Sequence, residues 1–219
     1  MSTKNGHLSK IRNCMHPLLK PSLPYIHSNI LMPFLKEYTN PRDWFSRLVK
    51  KGELIRLKNG FFVIAEKIEN TPVPYEQIAN LLSGPSYISF EWALSSYNMI
   101  PEGVYVVTSA SVLRSKDYHT PLCTFQYTQL SHDRYAVGIS QKKNHLGNYL
   151  IATPEKALAD LIHMKSRHLN AKDLLVDLIE ARRMDEDVLK SLDKKLLLEI
   201  SERYRSKTVR ALVTAIGLL

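Results

Sequence analysis

Hydrophobic and polar positions change period several times along this chain, and each change marks an element. Between residues 40 and 52, Phe45, Leu48 and Val49 recur at i, i+3 and i+4, the spacing of one helix face. Asn40 is placed to cap that helix and Pro41 suits its first position. Asp43 lies in the first turn, where the helix dipole favours an anion, and Gly52 stops the helix. Asp43, Ser46, Arg47 and Lys50 then turn to the face away from the apolar stripe. Past Gly52, Leu54 to Leu57 and Phe61 to Ile64 are β-prone runs joined by Lys58-Asn59-Gly60, and Asn-Gly is a strong signal for a tight hairpin. Arg56 and Lys58 are expected to project from it. Upstream, Ile30, Leu31, Phe34 and Leu35 predict a helix from a Ser28 cap to Tyr38, with Pro33 limiting its regularity and Lys36 to Asn40 as the following turn. Leu8, Ile11, Met15 and Leu18-Leu19 have the spacing of an earlier helix that Pro17, Pro21 and Pro24 interrupt, and the residues before about Ser9 are expected to be mobile.

The rest of the chain mixes both periods. Ala65 to Pro74 has no periodicity and carries Pro72 and Pro74, so it is expected to be a linker. Tyr75 to Leu82 predicts a helix with Ile78, Leu81 and Leu82 inward, ended by Gly84-Pro85. Ser89 is expected to cap a second helix through Tyr97, in which Trp92, Ala93 and Tyr97 pack. Four β-prone runs follow, at Val104 to Ser109, Cys123 to Gln129, Tyr135 to Ser140 and Tyr149 to Ala152, and predict a small antiparallel sheet. Thr153 then caps a helix with Pro154 at its first position and Ala157, Leu158, Leu161 and Ile162 at core spacing. Further helices are predicted near 171–183, 187–192, 193–204 and 207–218. The expectation is an α+β protein with two domains, residues 1–68 and 73–219.

Composition supports a folded core, with 219 residues and 44% hydrophobic content. Charge changes the picture more. Residues 1–67 hold 12 Lys and Arg against 4 Asp and Glu, a net +8 of the chain's +9, whereas 68–152 carry −1 and 153–219 carry +2. A cationic field confined to the segment with a short helix and hairpin is the footprint of a phosphate-binding surface. Helix then hairpin, both basic on one side, is the working end of a winged helix-turn-helix, with the helix in the major groove and the wing along the backbone. The candidate DNA-binding residues are Arg42, Ser46, Arg47, Lys50, Lys51, Arg56, Lys58 and Asn59. The alternative is a solvated helix and hairpin whose charges confer only solubility.

Other chemistry finds little footing. Cys14 and Cys123 form no metal-ligating pair and are expected to be reduced. Glu102, Asp117, Asp133, Glu155 with Lys156, and Asp160 are the carboxylates a metal-dependent nuclease would draw on, yet their spacing pairs none of them. His119, His132, His163 and His168 lack metal-ligand spacing, and there is no phosphate-binding Gly-rich loop or nucleophile elbow. No cofactor, metal or catalytic residue is expected. Ser89 and Glu91 are explained by their places at a helix start, and Trp92 by packing. The most apolar run, 211–219, is interrupted by Thr214 and Gly217 and is too short for a bilayer, and the expected location is the cytoplasm.

Four stretches carry a family resemblance: 84–94 (GPSYISFEWAL), 100–108 (IPEGVYVVT), 120–122 (TPL) and 152–160 (ATPEKALAD), together with Lys50-Lys51-Gly52 and Asn59-Gly60-Phe61-Phe62. In order and spacing the chain resembles the AbiEi-type antitoxins over roughly Ile30 to Lys165, with Cys123 standing where the family pattern has a glycine. The resemblance implies a transcriptional regulator with an N-terminal winged helix that represses its own operon and counteracts a nucleotidyltransferase-like toxin of a type IV toxin-antitoxin pair, without enzymatic activity. The implied partners are operator DNA with repeated half-sites and, functionally, that toxin. The alternative is a winged-helix regulator or interaction protein with no toxin partner.

Overall fold

The computed structural model describes residues 22–36, 40–69, 71–167 and 170–219. It is a mixed α+β chain that divides into two compact units between Val73 and Pro74. The proposed first helix, the turn at 37–39, Tyr38, Cys14 and His168 lie outside the described residues.

The N-terminal unit is built on a three-stranded antiparallel sheet. Strand β1 (Tyr25–His27) runs into helix α1 (Ser28–Leu31), which continues as a 3-10 turn over Met32–Leu35. Helix α2 (Pro41–Lys50), β2 (Leu54–Lys58), β3 (Phe61–Ile64) and the short α3 (Ala65–Glu69) follow. The sheet order is β1-β3-β2, so β3 pairs on both edges, and β1 is a strand the hydrophobic pattern does not predict. Residues 65–69 are helical where a linker is expected, and the single helix expected over 28–38 is a short α-turn followed by a 3-10 turn. Pro33 is the reason. It sits where a continuing helix would need its N–H, and the chain tightens instead. Leu31 and Leu35 therefore point into the core, while Ile30 and Phe34 are 61% and 66% exposed rather than inward. The cap is also displaced by one residue: His27 Nδ1 accepts from the Asn29 N–H, and Ser28 is the first helical residue.

The core of this unit gathers Ile26, Leu31, Leu35, Trp44, Phe45, Leu48, Leu54, Phe62 and Ile64, with Val49 partly buried against it. The α2 stripe is wider than the pattern indicates, because Trp44 is buried beside Phe45 and meets it edge to face at 5.1 Å. Phe45 stacks on Phe62 with ring centres 5.1 Å apart, which locks the helix onto the hairpin. Burying each such side chain is worth about 1.5–3 kcal/mol.

The C-terminal unit is a six-stranded sheet covered on both faces. Its elements are α4 (Tyr75–Leu82), β4 (Ser86–Ile88), α5 (Phe90–Ser96), β5 (Val106–Ser111), β6 (Lys116–His119), β7 (Thr124–Gln129), α6 (His132–Tyr135), β8 (Ile139–Asn144), β9 (Gly147–Ala152) and α7 (Pro154–Lys165). The chain ends with α8 (Ala171–Val176) running into a π-turn over Asp177–Ala181, then α9 (Glu186–Lys190), α10 (Lys194–Tyr204) and α11 (Lys207–Gly217). The strand order is β6-β7-β5-β4-β9-β8. The sheet is mixed rather than antiparallel, since β5 pairs with β7 and β4 with β9 in parallel. The β-prone run at 135–140 splits between α6 and the start of β8.

Register shows which layer each helix occupies. Tyr127 pairs with Ser109 and Tyr87 with the next residue, Ala110, so the two tyrosines leave opposite faces of the sheet. Tyr127 donates to the Ala79 carbonyl on α4, whereas Tyr87 donates to Asp160 on α7. Helices α4 and α7 therefore cover opposite faces. On α4, Ile78 and Leu82 are buried as expected, but Leu81 faces outward and Gln77 and Ala79 take the inward places.

Candidate nucleic-acid interface

Helix α2 and the β2–β3 hairpin carry every candidate DNA-binding residue. Asn40 starts the helix through its backbone alone: its carbonyl accepts from the Asp43 N–H at 3.1 Å and its side chain makes no capping bond. With Trp44, Phe45 and Leu48 inward, Arg42, Asp43, Arg47 and Lys50 are exposed and Ser46 is half-buried. The end of the helix is tied to the next strand by the Glu53 N–H donating to the Leu48 carbonyl. The hairpin turn is the two residues Asn59 and Gly60.

The hairpin contains one irregularity that matters. Arg56 pairs with Phe62 and Lys58 with Phe61, so Leu57 is an extra residue in β2. Up to Arg56 the alternation is regular, which places Arg56 on the same face as Leu54, the face that packs on α2. Arg56 lies beyond the end of the apolar contact. Its guanidinium sits 5.6 Å from the centre of the Phe62 ring and its head is exposed.

Between helix and hairpin a cleft of about 510 Å³ opens at this end. It is lined by Arg42, Ser46, Arg56 and Asn59, by Phe45, Phe62 and Met32, and by His27, Ser28, Asn29 and Gly60. The structure thus brings four of the eight candidates together. Arg42 and Ser46 are one helical turn apart on the hairpin side of α2, and the Ser46 hydroxyl donates to the Arg42 carbonyl at 3.2 Å. Arg47 and Lys50 stand on the outward side, away from the cleft, and form no ion pair with the described residues. Lys51 follows the helix and lies 4.0 Å from Glu53, which draws part of its charge inward. Lys58 is half-buried next to the turn. The contributions of His27 and Asn29 have no sequence signal, because only the pairing of β1 with β3 carries the start of α1 to the hairpin.

The carboxylates and hydroxyls of the C-terminal unit have a different role. Asp160, wholly buried, accepts from Ser89 at 2.5 Å and Tyr87 at 3.1 Å through one oxygen, and from Tyr204 through the other, which also lies 3.0 Å from Lys156 Nζ. Lys156, equally buried, donates to the Arg134 carbonyl and to Tyr204. Burial pushes the Lys156 amine down against the opposing pull of Asp160. Burial and the nearby Asp160 push the phenols of Tyr87 and Tyr204 well up. The Ser89 hydroxyl, expected to cap α5, is spent on this network. The capping is done instead by Thr108 of β5, whose hydroxyl accepts from the Trp92 N–H and donates to the Ser89 carbonyl. Glu155 accepts from the Asp193 N–H at the start of α10, and Glu91 and Glu102 pair with Lys165 and Arg183. Trp92 is half-buried, with its indole N–H on Glu76. Among the described residues no three His, Cys, Asp or Glu side chains converge as a metal site would require. Among the same residues no helix is long and apolar enough to cross a membrane.

No family model and no curated protein matches the chain.

Proposed function

We propose that residues 22–69 are a winged helix-turn-helix that binds duplex DNA, with α2 as recognition helix and the β2–β3 hairpin as wing. The carrying observation is that Arg42, Ser46, Arg56 and Asn59, from helix and hairpin, line one cleft that no described carboxylate enters, in the part of the chain that holds nearly all the excess positive charge. The element order supports the same reading: a strand, a short helix, a second helix and a hairpin, with the first strand added to the hairpin's edge. Arg47 and Lys50 face outward and reach base edges, while Arg42, Arg56 and Lys58 hold the phosphate backbone.

In this reading the protein is an autorepressor and the antitoxin of a type IV pair, acting in the cytoplasm against a nucleotidyltransferase-like toxin and doing no chemistry itself. The antitoxic half is carried by the resemblance over residues 84–160. One small recognition helix touches only a few base pairs, so specificity comes from two copies on a repeated site spaced by whole helical turns. Footprinting of the full chain on the DNA upstream of its gene tests this. Two protected half-sites are expected, with a nucleotidyltransferase-like protein encoded next door, and a single short footprint saturating at one protein per duplex would count against it.

A further inference from the structure

We propose that the cleft between α2 and the hairpin seats a single backbone phosphate of duplex DNA together with its sugar, and that Arg42 and Arg56 close on that one phosphate from opposite walls. The inference rests on the DNA-binding reading above and adds a division of labour to it. The two arginines come from different elements yet line the same concavity, and two planar guanidinium forks brought to one space match the oxygens of a phosphate better than point charges do. The Arg56 guanidinium lies 5.6 Å from the centre of the Phe62 ring, a contact that favours conformations at its own wall of the cleft. The Asn29 and Asn59 amides supply uncharged donors at the same rim.

The rest of the lining selects a phosphodiester over a free anion. Met32 is 38% exposed and offers the cleft an apolar surface over the largely buried edges of Phe45 and Phe62, and a volume of about 510 Å³ is more than a phosphate group alone fills. A deoxyribose face packs against such a surface, whereas a hydrated inorganic phosphate gains nothing from it. The outward residues Arg47 and Lys50 are outside the cleft, which leaves them for base edges and neighbouring phosphates.

Salt titrations distinguish one shared phosphate from two separate ones. Each neutralised phosphate contributes about 0.9 to the slope of log K against log salt on B-form DNA. On a duplex cut down to one half-site, so that a single copy of the full chain binds, Arg42→Ala and Arg56→Ala should each weaken binding while lowering the slope by less than one, and the double variant should lower it by about one. A duplex bearing a neutral methylphosphonate at the seated position should bind the wild type as weakly as the unmodified duplex binds the double variant, and the double variant should not respond to that substitution. A slope loss of about two in the double variant places the arginines on separate phosphates and overturns the proposal while leaving DNA binding intact. Displacement of the duplex by inorganic phosphate beyond the effect of chloride at equal ionic strength, in the wild type but not the double variant, assigns the cleft to a free anion and overturns it as well. A wild-type chain whose affinity for duplex does not fall with salt overturns the DNA-binding reading itself.

Discussion

The backbone N–H of Ser28 donates to the carbonyl of Gly60 at 2.7 Å, tying the start of α1 to the tip of the hairpin. This bond holds His27, Ser28 and Asn29 at the cleft with Asn59 and Arg56, so the wall opposite α2 is set before any ligand arrives. Gly60 is needed for it on two counts. Its φ is +77°, and a Cβ there would lie 3.0 Å from the Ser28 hydroxyl.

Gly60→Ala should therefore destabilise the N-terminal unit by about 1–2 kcal/mol, the ordinary penalty of a left-handed L-residue, and weaken duplex binding with it. Chemical denaturation followed by Trp44 fluorescence in a Trp92→Phe background, where Trp44 is the one tryptophan left, measures the first effect, and anisotropy of a labelled duplex the second. A variant as stable as the wild type would mean that the turn is free to adjust.

Breaking the buried pair should be far more damaging. Asp160→Ala leaves Lys156 with a lost counter-ion and strips Ser89, Tyr87 and Tyr204 of their acceptor, so a loss of about 3–5 kcal/mol is expected. The double variant Lys156→Met/Asp160→Ala removes the stranded charge and should recover part of that loss, but not all, because the buried hydroxyls of Tyr87, Ser89 and Tyr204 lose their shared acceptor. Urea unfolding of the four chains in the cycle gives the coupling directly. Strict additivity would contradict a shared network.

The buried phenols predict an alkaline limit. Burial pushes Tyr97 up to about 12 and Tyr127 higher still, and burial with Asp160 pushes Tyr87 and Tyr204 well above the usual phenol value of 10.0. Above that value the unfolded chain releases protons that the folded chain keeps, so stability is full below it and falls as pH rises through the folded values. Lys156 and Lys142 act the other way, because burial lowers both and makes stability rise with pH up to 10.5, but they are two amines against these four phenols and the Cys123 thiol, which burial raises to about 12. Tyrosinate absorbance and ellipticity, followed together from neutral pH upward, should show these four tyrosines ionising only as the chain unfolds. Titration of all eleven tyrosines near 10 in a chain that stays folded would contradict it.

How far the sequence could carry this depended on how local each cause is. Helices α4, α10 and α11 stand within a residue of their expected bounds and α7 starts where expected, because a cap, a proline and a 3.6-residue period are all written in neighbouring residues; Thr153, whose hydroxyl accepts from the Lys156 N–H, is the clearest case. Strands β4 and β6 left no such trace. Ser86-Tyr87-Ile88 is too short to show a period, and it is a strand because β5 and β9 flank it. Ser89 satisfies the local rule for a cap, yet an aspartate 71 residues away takes its hydroxyl. The candidate interface was half legible: the charges of α2 and the hairpin are local, but the cleft is made by the Leu57 bulge and by β1, which only tertiary pairing creates.

Repression and antitoxicity should come apart within the full chain. The candidate DNA contacts lie before Lys67, and the stretches that carry the family resemblance lie mostly after Gly84. On the proposed antitoxin reading, Arg47→Ala/Lys58→Ala should therefore lose binding to the proposed operator and still relieve growth arrest by a nucleotidyltransferase-like toxin encoded beside it. Colony survival with toxin induced, at matched protein levels, is the readout. Loss of rescue in this folded variant would show that antitoxicity requires DNA binding.

Duplex affinity measured across a salt series for the wild type and for the folded Arg47→Ala/Lys58→Ala chain, on upstream DNA and on a shuffled duplex, tests most directly whether helix and hairpin bind DNA. The wild type should lose affinity linearly in log salt and prefer its upstream DNA. The variant should bind both duplexes weakly, with the slope reduced by about one per bound copy for the Lys58 phosphate contact and the preference relaxed by loss of the Arg47 base contact, worth about 1–3 kcal/mol per copy. Equal affinity, slope and preference in the two chains would contradict the assignment of DNA binding to helix and hairpin.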